Sequence, residues 1–360
     1  LFLSCWAMFG SYYCYDNPTA LATQIKDHYN LSSTKYNLLY SVYSFPNVIL
    51  PLFGGALVDK IGAETSLLVF LCLVTAGQAL FAFAASISNY PLMLVARAVY
   101  GLGGESLCVA ESALLAVYFA GTEVAFAMGL NLSIGRAGSS LNDYATLRIY
   151  NLHGSIPEAL WAGFLLLCIC LAATVVMVVL DRMISRKRRN QGYFVPEAHS
   201  GEIVQLSDIR EFNILYWLLT ISCIVVYGCV LPWNNIGGAF MQSQYNFAPS
   251  KSNTYLMVPY LLSAGCVPVF GYICDRLGRR SELLIVSTLA LTMTHAIFAW
   301  FTSIDPIYAL CLMGVAYSIY ASAIWPAVSL VVNEAKLGTA YGFITSVQNG
   351  GLALFPIIVG

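Results

Sequence analysis

The chain has 360 residues, of which 59% are hydrophobic and 10% charged, with a net charge of −1. Soluble domains carry about 25% charged residues, and each charge at a bilayer centre costs at least about 2.5 kcal/mol, so this thinning of charge points to a membrane chain. The near-neutral balance argues against a nucleic-acid partner, which needs a clustered basic face. The eleven cysteines show no CxxC pair or Cys/His metal spacing and read as small hydrophobes.

A membrane-crossing helix needs about 20 mostly apolar residues. Eleven such runs follow one another. The first, 2–24, carries Asp16 within Tyr15-Asp16-Asn17-Pro18, and the loop after it holds the sequon Asn30-Leu31-Ser32. The second, 36–59, leads into Gly55-Ala56-Leu57-Val58-Asp59-Lys60-Ile61-Gly62, and the third is 66–87. The fourth, 92–119, reads Arg97-Ala98-Val99-Tyr100-Gly101-Leu102-Gly103-Gly104, with Glu105 about half-way along and Glu111 beyond it. The fifth, 124–148, carries Arg136 half-way along, then Asp143 and an interfacial Arg148. The sixth is 159–181.

A polar stretch, 182–212, opens with Arg182, Arg186, Lys187, Arg188 and Arg189. Five more runs follow, at 213–241, 253–275, 281–302, 307–332 and 338–360. The eighth leads into Gly271-Tyr272-Ile273-Cys274-Asp275-Arg276-Leu277-Gly278-Arg279-Arg280, and the ninth holds His295. Both ends of the chain lie inside apolar runs, so trimmed termini and a twelfth span beyond Gly360 are expected. The expected architecture is an all-α membrane protein of two six-helix bundles: residues 1–181, a cytoplasmic linker 182–212, and residues 213–360 with five of their spans. The Lys/Arg bias puts the loops holding Lys60, Arg182 to Arg189, Arg276, Arg279, Arg280 and Lys336 on the cytoplasmic side.

The loops after runs two and eight both fit G-x-x-x-D-K/R-x-G, six spans apart and on the same side. Internal repeats of this kind are characteristic of secondary transporters. The first glycine permits close helix approach. Asp59 and Asp275 end their helices where they can meet another helix's positive dipole end. Lys60, Gly62, Arg276, Gly278 and Arg279 complete a candidate latch that breaks and reforms during a transport cycle. These loops resemble the signature loops of the major facilitator superfamily, and Arg97, Gly101 and Gly103 resemble that superfamily's R-x-x-x-G-x-G pattern of the fourth helix. The first loop departs from the pattern, with Ala63-Glu64 where basic residues usually stand.

Ionisable groups deep in spans are functional-site candidates. Glu105 and Arg136 would put an acid and a guanidinium at similar depth, matching a ligand with a free amine and a free carboxylate. The alternative is a structural salt bridge between the fourth and fifth spans, and both readings hold together if the pair closes when the site is empty. Arg97 has a scaffold reading, bonding helix carbonyls or an acid, beside a functional one. Glu111 and Asp143 mark either a polar pathway or wet helix ends. The second half offers aromatics and amides: Tyr227, Trp233, Asn234, Asn235, Tyr317, Trp325, Gln348 and Asn349. These could line a cavity or build interface belts.

Several stretches resemble one branch, the major facilitator superfamily domain-containing protein 1 family of lysosomal membrane proteins: Gly10 to Pro18, Leu38 to Val48, Gly103 to Leu107, Ser133 to Ser139 and Leu337 to Phe343. The resemblance implies facilitated dipeptide export across the lysosomal or endosomal (vacuolar) membrane, with a glycosylated single-span accessory subunit; the plasma membrane is the other location considered. It implies that Glu105 and Arg136 bind the peptide's amine and carboxylate, and Asp16, Asn17, Tyr40 and Tyr43 join the candidate binding residues. Val42, Phe45, Asp143 and Arg148 depart from the branch. Expected partners are a dipeptide-like zwitterion and membrane lipid; no cofactor, metal or enzyme activity is expected. Two other functions remain: a proton-coupled carrier of organic anions or drugs, and a non-transporting receptor or scaffold.

Overall fold

A computed structural model describes residues 1–120, 123–191 and 206–359. Part of the expected linker, 192–205, and the side chains of Asn234 and Asn235 lie outside the described residues. Among the described residues, fourteen α-helices follow in chain order: α1 (Phe2–Tyr15), α2 (Asn17–Ala20), α3 (Ala22–Tyr29), α4 (Ser33–Ser44), α5 (Leu50–Ile61), α6 (Ala63–Ser86), α7 (Tyr90–Tyr118), α8 (Val124–His153), α9 (Ile156–Asn190), α10 (Ile214–Tyr245), α11 (Pro249–Leu277), α12 (Arg280–Trp300), α13 (Pro306–Val331) and α14 (Leu337–Val359). The described residues contain no strand. Helices satisfy every backbone donor and acceptor within the segment, which lipid requires.

Six of these helices are individually long and apolar enough to cross a membrane, and α4 with α5 qualifies as a bent pair. Each expected run from the third onward maps onto one helix. The first two are broken. Run 2–24 falls into α1, α2 and α3, with Asp16 as the joint between the first two and Pro18 in the first turn of α2. Run 36–59 bends by 54° between α4 and α5, across a 3-10 turn at Pro46–Val48. Proline lacks the N–H that would continue the ladder; one residue on, the Asn47 side chain donates to the Tyr43 carbonyl at 2.9 Å. Helix α9 runs on to Asn190, so the basic run from Arg182 to Arg189 is helical.

By Cα packing the chain forms two compact units. The first comprises Leu1–Val117, Ile134–Arg210 and Glu334–Ser346; the second comprises Tyr118–Ser133, Glu211–Asn333 and Val347–Gly360. In the first unit, α1 and α6 pack along α9. That unit also holds a buried hydrophobic cluster that includes Leu21, Ile25, Leu39, Phe81, Met93 and Leu160. In the second unit, α13 packs against α11 and α12. Small buried residues on α13 (Ala309, Gly314, Ser318, Ala321, Ser322) suit close packing between apolar helices. Ser322 adds a bond to the Val267 carbonyl at 2.9 Å.

Candidate functional site

In the first unit, two of the charged candidates, Arg97 and Glu105, lie along one face of α7. Residues 97, 101, 104 and 105 recur at helical spacing and therefore share that face. Arg97 is 1% exposed. Its Nε donates to the Leu39 carbonyl at 3.3 Å. Its guanidinium carbon lies 5.3 to 5.9 Å from the ring centres of Tyr15, Tyr40, Tyr43, Phe81 and Tyr100. Neither Nη has a hydrogen-bond partner among the described residues. Ring faces thus stand in for the missing acceptors, an arrangement a planar, weakly hydrated guanidinium tolerates. The carbonyl bond is of the kind the scaffold reading of Arg97 describes; the five-ring enclosure is not visible in sequence.

Glu105 is half-buried on the same face, and the Tyr43 hydroxyl donates to its Oε1 at 3.3 Å. Tyr40 and Thr19 share a hydroxyl–hydroxyl bond, and Tyr15 packs edge-on against both Tyr40 and Tyr43. Asp16 is half-buried at the α1–α2 joint, with Ser139 hydrogen-bonded to its carboxylate. Arg136 is half-buried on α8, between Gly135 and Gly138, which face Tyr12 and Phe9 of α1. Gly103 packs against Phe70 of α6. Asp143 is exposed and accepts from Asn142 at 3.3 Å, and Glu111 is fully buried on α7.

Asn17 is fully enclosed. Its Nδ2 donates to Asn142 Oδ1 at 2.7 Å, and its Oδ1 accepts from Gln78 Nε2 at 2.9 Å. Gln78 also donates to the Leu160 carbonyl at 3.0 Å, while Thr146 bonds both Asn142 and the Tyr13 hydroxyl. This amide network ties α2 to α6, α8 and α9 at the broken first span. Buried polar networks hold one packing arrangement when their members are satisfied; here Gln78 Oε1 has no partner among the described residues. Gln78, Asn142 and Thr146 are not among the site residues expected from the sequence. The signal was there for Gln78, the one amide in the run 66–87.

In the second unit, Trp325 Nε1 donates to the Tyr227 hydroxyl at 2.9 Å. The Tyr227 ring meets Tyr317, Tyr320 and Trp325 with centroids 5.8, 6.1 and 6.2 Å away. Gln348 and Asn349 are half-buried on α14. His295 lies beside Trp233, which stacks on Phe298 at 4.4 Å.

The two repeated loops have closely matched geometry. Asp59, in the last turn of α5, accepts the N–H of Gly338 and of Thr339, each at 2.6 Å. Asp275, in the last turn of α11, accepts the N–H of Ala125 at 3.1 Å and of Phe126 at 2.8 Å. Each aspartate therefore caps the first turn of another helix, α14 or α8, where free amides and the positive dipole end favour a carboxylate. A side chain at Gly55 would strike the Gly338 carbonyl, and one at Gly271 the Ala125 carbonyl. The closing glycines have φ of +87° at Gly62 and +64° at Gly278, ending α5 and α11 where other residues are strained. Lys60, Arg276 and Arg279 are exposed; Arg276 donates to the Tyr272 hydroxyl at 3.1 Å, and Arg279 pairs with Glu282 at 3.4 Å.

Comparison with known proteins fits this geometry. A family model described as Major Facilitator Superfamily matches residues 1–356. The human lysosomal dipeptide transporter MFSD1 is 36% identical over 370 residues, covering 100% of this chain and 78% of that protein. The Danio rerio lysosomal dipeptide transporter MFSD1 is 35% identical over 367 residues, covering 100% and 79%. Among solved structures, the transporter FucP in the outward conformation aligns with a TM-score of 0.72 at 16% identity, over 99% of this chain and 91% of that one, a likeness of fold alone.

Proposed function

The chain belongs to the major facilitator superfamily and, within it, to the family of the MFSD1 transporters; from that premise we propose that it carries dipeptides or similar zwitterionic solutes across the lysosomal membrane by alternating access, as a facilitator. As a member of that superfamily it is a multi-pass membrane transporter and not an enzyme. The names of its relatives supply the substrate class and the membrane.

The observation that carries the site reading is Glu105. It is a half-buried carboxylate in the middle of a membrane-crossing helix, held by a tyrosine hydroxyl. A carboxylate in that environment favours cationic company, and a ligand ammonium is a cation of the right kind. Arg136 gives the fork that a ligand carboxylate would take in bidentate fashion. In the second unit, Tyr227, Tyr317, Trp325, Gln348 and Asn349 are the uncharged candidates for ligand contact. Asp59 and Asp275 act as latches, each releasing and recapturing its helix end as the transporter cycles. A glycosylated single-span subunit belongs to the same proposal.

Uptake of an unblocked dipeptide into proteoliposomes tests the reading. Glu105→Gln and Arg136→Ala are each expected to lower flux at least about tenfold, the loss expected when a charged hydrogen bond is removed. Unchanged flux in either variant sinks that residue's role. A second reading, proton coupling, is favoured by Glu111, a fully buried carboxylate on α7. Uptake that follows an imposed pH gradient and disappears in Glu111→Gln would select it.

A further inference from the structure

Tyr43 sits in a slot on α7 with a cation at one end and an acid at the other. The ring centre is 5.4 Å from the Arg97 guanidinium carbon, and the hydroxyl is 3.3 Å from Glu105 Oε1. Two glycines make the slot. A Cβ at Gly101 would lie 3.0 Å from the Tyr43 carbonyl oxygen, and a Cβ at Gly104 would lie 2.6 Å from the Tyr43 hydroxyl. The backbone of α4 thus comes close at Gly101, and the hydroxyl finds room at Gly104. Arg97 grips the same helix twice, at the Leu39 carbonyl and at the Tyr43 ring, one turn apart. Asn47 fixes the Tyr43 carbonyl just before the bend. The ring is 7% exposed and has little freedom to move.

A phenylalanine would fill this slot equally well for packing. What the tyrosine adds is an oxygen directed at Glu105. A carboxylate at the end of a flexible side chain loses rotamer freedom when it captures an ammonium, and a fixed donor on one of its oxygens removes part of that cost beforehand. We propose that Tyr43 is the positioning residue for Glu105: clamped between Arg97 and the Gly101–Gly104 slot, its hydroxyl holds the carboxylate in the orientation that receives a ligand ammonium. The proposal rests on the ligand role given to Glu105 under Proposed function. It also gives two positions of the fourth-helix pattern a local role, since Arg97 and Gly101, together with the neighbouring Gly104, act on the ligand through Tyr43 and not by touching it.

The test is a double-mutant cycle on radiolabelled alanylalanine uptake in proteoliposomes. Affinity is measured in parallel by ligand-dependent thermal shift of the purified protein, for variants whose flux is too low. Tyr43→Phe keeps the ring and removes the hydroxyl. The expected result is an affinity about tenfold weaker, with maximal rate and ligand-free melting temperature near those of the natural protein, and no further effect when Tyr43→Phe is placed on Glu105→Gln. Unchanged affinity in Tyr43→Phe overturns the proposal while leaving the role of Glu105 standing, provided Glu105→Gln weakens binding. Equal losses on both backgrounds also overturn it, since the hydroxyl then acts elsewhere. A silent Glu105→Gln overturns the ligand role of Glu105, and this proposal with it.

Discussion

Asp59 and Asp275 occupy the same position of a repeated loop and do the same thing, yet they keep different company. Each accepts the second and third N–H of a helix that begins elsewhere in the chain. Five residues after Asp275 stands Arg280, whose Nη2 reaches Asp275 Oδ1 at 3.0 Å with both side chains nearly buried. Five residues after Asp59 stands Glu64. The amide bonds are shorter at Asp59, 2.6 Å each, than at Asp275, where one oxygen also serves the guanidinium. The common element of the repeat is therefore the carboxylate on a helix N-terminus, and the ion pair is an addition to one copy. A buried carboxylate is tolerated at Asp59 because charge-assisted bonds from two amides and the helix dipole together take the place of a counter-ion.

The widest separation between the two copies is expected from removing the carboxylate. Asp275→Ala uncaps α8 and also strands Arg280, a nearly buried cation. Breaking a buried pair from one side costs about 3–5 kcal/mol. Asp59→Ala uncaps α14 and strands two backbone amides, for about 1–3 kcal/mol. Denaturant or thermal unfolding of the purified variants measures both. If Asp59→Ala proves the more damaging, the ion pair is not what distinguishes the two sites.

Arg280→Gln comes next. It leaves Asp275 with two amides and a helix dipole, the surroundings Asp59 already has. The loss should be about 1 kcal/mol, the scale of an ordinary hydrogen bond, and well below that of Asp275→Ala. A loss as large as that of Asp275→Ala would mean that the second site cannot work in the manner of the first, and the equivalence drawn between them would fail.

Much of this was readable in the residues, for physical reasons that also explain what was not. The spans are legible because lipid demands long apolar helices. The repeated loops are legible because each position does one thing, with close approach at Gly55 and Gly271, capping at Asp59 and Asp275, and chain reversal at Gly62 and Gly278. The identity of the capped helices is not legible. Gly338, Thr339, Ala125 and Phe126 contribute only backbone N–H groups, which leave no side-chain signature. The breaks at Asp16 and at Pro46–Val48 were hidden inside runs whose apolar content is continuous, although Pro18 and Pro46 marked them. At the candidate site, Glu105 and Arg136 stand out because charge is costly in a span. The tyrosine enclosure of Arg97 does not, since tyrosines from α1, α4 and α7 meet only in three dimensions.

The smallest expected effect is the most discriminating. Glu64→Arg would give the first copy the residue the second one has. An ion pair with Asp59 at this partly exposed position would add about 0.2–1 kcal/mol. The same change removes an acid from the first turn of α6, where its interaction with the helix dipole contributes about 0.3–1 kcal/mol. The two nearly cancel, so the stability of the single variant should barely change, and that measurement alone decides little. The background resolves it. In Asp59→Asn there is no carboxylate to pair with, and Glu64→Arg should then show only its loss. The coupling between the two positions should be favourable, about 0.5 kcal/mol, and should shrink as salt is raised, because the partners are partly exposed. A coupling of zero would mean that an arginine at this position cannot reach the aspartate of the first copy. The difference between the copies would then lie in how α6 leaves the loop, not in which residue stands five places on.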